Sequence, residues 1–152
     1  MLAVYRWETR WHDWNRRTSS ISLLRKLIRQ ACRLYGVKPP VVTWGPDREP
    51  YKPREKPCTF FDPNTNTILL RKRHWNMAVA LHEAAHAIVW HQFSHQRIDH
   101  GPTWLGIYLW LLTKNDTAPQ VALEASAQAD GLEYTPVDES SPYRIHHPRK
   151  RK

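Results

Sequence analysis

Residues 76–93 read NMAVALHEAAHAIVWHQF, and this stretch decides how the chain is organised. Asn76 is a fair helix N-cap, and residues 77–93 contain no Gly or Pro, so the stretch predicts a helix. Its polar exceptions are His82, Glu83 and His86, in the spacing H-E-x-x-H. At about 100° per residue, His82 and His86 lie about 40° apart and one turn along, so both imidazoles can reach one cation. Glu83 lies about 60° beyond His86, placed to take a proton from a metal-bound water. Ala80, Leu81, Ala84, Ala85, Ala87, Ile88 and Val89 are small or apolar. A His-Glu-His cluster among them needs partners, and a metal supplies them. Zinc is the metal such imidazole ligation favours.

A catalytic zinc wants a third protein ligand and one open position. Gly at 89 and His at 92 would make a metzincin; the residues there are Val89 and Gln92. Glu124 could serve a thermolysin-like site, but position 128 is Gln, not the usual companion Asp. His91 and His95 point away from His82 on a continuing helix. His100 remains, in the stretch DHGPTW, where a Gly-Pro turn before a helix would present it from a second element.

Outward from this centre, SSISLLRKLIRQACRLYG (19–36) predicts an amphipathic helix. Ile21, Leu24, Ile28, Ala31 and Tyr35 lie on one face, with Leu27 and Leu34 widening it. Ser19 or Ser20 caps its start, and Gly36 ends it. VVTWG (41–45) predicts a strand, and residues 45–57, rich in Pro, a surface loop. CTFF-DPNTN-TILL (58–70) predicts a β-hairpin, whose edge could take a substrate peptide as a further strand. GPTWLGIYLWLLTK and TAPQVALEASAQADG predict two more helices, the second capped by a Thr117–Gln120 box and stopped at Gly131. Tyr108, on the first of these, is a core residue and at most a weak oxyanion partner. Strands early and helices late argue α+β.

The chain has 152 residues, 41% of them hydrophobic, which suits one domain. That domain is expected over 1–135, with a basic, disordered tail over 136–152. No apolar run is long enough to span a membrane, and Arg6, Glu8 and Arg10 stand where a signal peptide needs apolar residues. The expectation is a cytoplasmic protein, in a bacterial cell or a phage's host. Cys32 and Cys58 are too few for a disulfide framework or a four-cysteine zinc ribbon. Both are read as buried, reduced thiols.

The net charge of +9 is uneven. Residues 1–40 carry nine Lys or Arg against two acids, and the chain ends in RKRK. A basic N-terminal face and tail can attract DNA, or can simply solubilise. Tyr5, Trp7, Trp11 and Trp14 alternate with arginines; such residues stack on nucleic-acid bases, or pack a terminal segment onto the core.

H-E-x-x-H, a short loop, then H-G-P and an aromatic two residues on resembles the SprT-like (Spartan-type) zinc metallopeptidases. VYRWE, the hairpin running into HWNMAVALHEAAHA, HGPTWLGIYLWLL and ASAQADGL are similar to a metallohydrolase group of phages and actinobacteria that is itself SprT-like. The resemblance covers about residues 4–135. It implies a zincin-like fold, His82, His86 and His100 as zinc ligands, Glu83 as general base and acid, and hydrolysis of peptide bonds. Spartan-type members digest proteins attached to DNA. Two features differ from the family pattern: Thr103 stands where an acidic residue commonly follows Pro, and residues 101–152 hold no cysteine for the C-terminal zinc ribbon that some bacterial relatives carry. The rival expectations are a nucleic-acid-binding accessory protein with a structural or silent zinc, and a metal-dependent hydrolase of a non-peptide amide.

Overall fold

The computed structural model describes residues 2–12, 19–45, 59–72, 76–93, 100–116 and 118–137. The 46–57 loop, Cys58, Trp14, His95, Thr117 and the tail beyond 137 lie outside these residues, as do the side chains of residues 2 and 9–12. The elements run α1 (Leu2–His12), α2 (Ile21–Leu34), β1 (Val41–Gly45), β2 (Phe60–Asp62), β3 (Thr67–Arg71), α3 (Met77–Gln92), α4 (Pro102–Lys114) and α5 (Gln120–Ala129). The chain is α+β: five helices and a three-stranded sheet among the described residues.

Helix α3 sits at the centre, packed against α2, α4 and β2. Its buried residues are consecutive from Ala80 to Val89, all round the helix rather than along one stripe. A helix apolar on every side is stable only when other elements cover every side. Asn76 caps it, its Oδ1 accepting from the Val79 N–H at 2.8 Å.

The sheet order is β1-β3-β2. β1 runs parallel to β3, Val42 opposite Ile68 and Trp44 opposite Leu70. β2 runs antiparallel to β3, with Phe61 opposite Ile68. The hairpin is held at its turn by Asp62, whose carboxylate accepts from the Asn64 N–H and the Thr65 hydroxyl. Asn66 takes φ 49°, a left-handed turn conformation that Asn tolerates. β2 is an edge of the sheet and lies against α3.

Several details go beyond or differ from the sequence reading. Residues 2–12 form a helix, α1, which the interleaved aromatics and arginines disguise. Trp7 is fully buried there and donates from Nε1 to the Ser126 hydroxyl at 3.0 Å, so for this residue the packing reading holds. Leu34 does not widen the α2 stripe: it is exposed, and Cys32 is buried in the core. Helix α5 takes Pro119 as its N-cap, and Gln120 bonds Glu124 within the helix. Residues 132–137 run back over α4: the Thr135 N–H donates to the Pro102 carbonyl at 3.0 Å. Gly106 makes that crossing possible, since a Cβ there would collide with the Thr135 carbonyl.

The remaining punctuation stands where the sequence places it. Ser20 caps α2, accepting from the Leu23 N–H, and Gly36 ends it with φ 63°. Gly131 comes after α5 with φ 68°. Among the described residues no helix is long and apolar enough to cross a membrane.

Candidate metal centre

Three helices meet at one place. α3 brings His82, Glu83 and His86; the Gly101-Pro102 start of α4 brings His100; α1 brings Glu8. Pro102 fixes the first turn of α4, where its missing N–H costs nothing, and this sets the direction from which His100 arrives.

His82 Nε2 lies 3.1 Å from His86 Nε2 and 3.1 Å from His100 Nε2. All three ligand atoms lie within 4.8 Å of one another, with His82 and His86 buried and His100 half-buried. Two nitrogens each about 2.0–2.1 Å from a tetrahedral zinc stand about 3.3 Å apart. The two separations from His82 Nε2 match that spacing closely, and the three histidines lie near enough together to hold a single ion. The His86 Nδ1 has no hydrogen-bond partner among the described residues. Burial, then the charges of His82 and His100, hold His86 well below its ordinary pKa. It therefore stays a neutral imidazole, the form a metal requires.

His82 differs. Its Nδ1 donates to the Glu8 carboxylate at 2.6 Å, and Glu8 is itself buried. Burial alone would lower the His82 pKa, but the charge and hydrogen bond of Glu8, with a smaller contribution from Glu83, turn the net direction upward. The Tyr108 hydroxyl also bonds Glu8. Burial, then the charge and hydrogen bond of Glu8, raise the Tyr108 pKa well above its ordinary value, and Tyr108 is a buried core residue whose hydroxyl partners Glu8.

Glu83 is almost fully buried, and burial raises its carboxyl to about 7. The charge of His82 and a backbone hydrogen bond from Phe61 in β2 act in the opposite direction. A carboxyl poised near neutrality can both accept and return a proton at physiological pH.

Aromatic rings wall the site. The Trp104 indole contacts all three imidazoles, with ring centroids 4.7 Å from His82, 5.1 Å from His86 and 4.4 Å from His100. Tyr5 of α1 stands 4.9 Å from His100 and remains 47% exposed, so it faces the mouth of the site.

The other histidine and acid readings separate cleanly from this centre. His91 is exposed and bonds the Asn66 side chain at 3.0 Å. Gln92 donates to the Tyr35 carbonyl. Glu124 bonds Gln120 and Tyr134, and the metal-type cluster among the described residues is His82, His86 and His100. Sequence reasoning missed Glu8, Tyr5 and the Phe61 N–H. For Glu8 a signal existed: Val4, Trp7 and Glu8 share helical spacing, which puts the acid on the buried face. The chain matches no described protein family, no curated protein and no solved structure, so what it does has to be argued from this centre itself.

Proposed function

We propose that this chain is a zinc-dependent metallopeptidase of the SprT-like type, hydrolysing peptide bonds, with proteins bound to DNA as its substrate class. The observation that carries the reading is the convergence of three imidazole nitrogens beside a buried glutamate poised near neutrality. Among the described residues three histidines would hold the zinc, the number of protein ligands that catalytic rather than structural zinc sites use. His82, His86 and His100 would hold a zinc, which when bound would supply Lewis acidity to a water and to the scissile carbonyl. Glu83 takes the proton of the attacking water as the C–O bond forms. It returns that proton to the amine nitrogen as the C–N bond breaks. The Phe61 N–H and the helix hold the Glu83 carboxyl in place, and Trp104 keeps bulk water from the inner side.

The test is cleavage of an unfolded protein such as casein, and of a basic protein bound to DNA, by the zinc-loaded chain and its Glu83→Gln variant. Cleavage by the wild type, lost in Glu83→Gln with zinc retained, is expected. Undiminished turnover by Glu83→Gln would overturn the role given to that residue.

A second reading rests on a separate surface. Arg25, Lys26, Arg29 and Arg33 are all exposed on α2. Such a face would serve an accessory protein that binds nucleic acid with a catalytically silent zinc. Binding to duplex DNA that weakens steeply with salt, at a slope of about −0.9 per phosphate contacted, favours this reading when cleavage is absent. No binding at ~50 mM salt leaves the charge as a solubilising surface.

A further inference from the structure

The N-terminal helix carries a buried acid that the chemistry above does not use. Glu8 is 5% exposed, on the inner face of α1 beside the fully buried Trp7. A carboxylate removed from water is costly unless fully partnered. Two partners come from two other helices: the Nδ1–H of His82 on α3, at 2.6 Å, and the hydroxyl of Tyr108 on α4. The first partner is the significant one. The same imidazole turns its other nitrogen, Nε2, toward His86 and His100.

An imidazole that donates from Nδ1 presents a lone pair at Nε2. We propose that Glu8 is a positioning residue of the metal centre, which holds His82 in its Nδ1–H tautomer and fixes its ring so that Nε2 is delivered to the ion. The inference rests on the metal reading of the three histidines and extends it to a helix outside the H-E-x-x-H and H-G-P motifs. Carboxylate pairing also makes an imidazole a stronger electron donor, so Glu8 raises the affinity of the site as well as ordering it. Tyr108 acts one step further out, keeping the carboxylate directed at His82. Because α1 supplies Glu8 and also sets Tyr5 at the mouth of the site, loss of α1 docking would loosen metal binding without touching any ligand.

The experiment measures zinc affinity of the full chain by competition with a chromogenic chelator, in the wild type, Glu8→Ala, Glu8→Gln and Tyr108→Phe. Melting of each protein in EDTA runs beside it, and ring nitrogen–proton NMR spectra report the His82 tautomer in the loaded state. Glu8→Ala should lose about 10- to 100-fold in zinc affinity. Glu8→Gln keeps the shape and an acceptor oxygen but not the charge, and should fall between it and the wild type. Tyr108→Phe should lose less than Glu8→Ala. The Nδ1–H signal of His82 should broaden or shift in Glu8→Ala. A merely structural role would lower the melting temperature of the metal-free variants and leave the affinity and tautomer of the folded fraction unchanged, which would overturn the inference. Should Glu8→Ala fail to fold, the isosteric Glu8→Gln decides on the same readouts. Zinc bound equally by wild type and Glu8→Gln, with His82 unchanged, removes the role of Glu8 and leaves the metal reading intact. A folded wild type that takes up no zinc overturns both.

Discussion

Glu83 is the most informative single position, because its burial makes a prediction that needs no substrate. In the metal-free protein its carboxyl is raised from the ordinary 4.5 to about 7, chiefly by burial. An acid whose folded pKa is raised binds more protons folded than unfolded, so stability falls as pH rises between the two values. Below about pH 4.5 the group is protonated in both states and contributes nothing; above about pH 7 the full penalty is present. At ~1.4 kcal/mol per tenfold change in proton affinity, the shift corresponds to about 3 kcal/mol. Glu83→Gln removes the ionisation and keeps an oxygen to accept from the Phe61 N–H. The site histidines are present in both proteins, and Glu83 is the smallest of the causes acting on His82. The wild-type-minus-variant difference therefore reports Glu83. Urea unfolding in EDTA at pH 5, 6, 7 and 8 should show Glu83→Gln gaining on the wild type by up to about 3 kcal/mol across this range. Zinc at ~100-fold its Kd should then add about 2.7 kcal/mol to both proteins. A stability difference that does not change with pH would refute the claim that Glu83 is a buried, titrating carboxyl.

Other parts of the molecule set outcomes of their own. His100→Ala should leave the fold intact, since His100 is only half-buried, yet weaken zinc binding more than ~100-fold, beyond the loss expected for an outer partner; metal analysis and chelator competition check it. Gly106→Ala should destabilise by about 1–3 kcal/mol despite the better helix propensity of Ala, because the Thr135 carbonyl occupies the space of the added methyl; thermal melting should show a fall of ~2–4 °C per kcal/mol. Cys32 is buried and its thiol is pushed up to about 12, so at pH 8 about one molecule in ten thousand carries the thiolate. In a Cys58→Ser background it should resist alkylation when folded and react at once in denaturant, as mass spectrometry would show.

Much of this architecture was legible because it is local. Helix α3 announced itself through an uninterrupted run of helix formers after Asn76, and the hairpin through two apolar runs flanking Asp62–Asn66. His82 and His86 needed only the 3.6-residue period to share a face, and His100 needed only a Gly-Pro turn to arrive from elsewhere. Leu34 misled for the complementary reason: periodicity says which residues share a stripe, not where the neighbouring helix stops covering it.

What tertiary structure alone decided depends on contacts between residues far apart in the chain. Glu8 and His82 are separated by 74 positions, Trp7 and Ser126 by 119. No spacing rule links such pairs, since their meeting comes from how α1 closes over α3, α4 and α5. The Glu83 carboxyl is raised because the folded core excludes water from it, a property of the packed environment and not of the residue. The sequence by itself thus determined the three candidate ligands and the helix that carries two of them. Packing decided that Glu8 meets His82, the proton affinity of Glu83 and the aromatic wall, because each depends on distances that only the closed core sets.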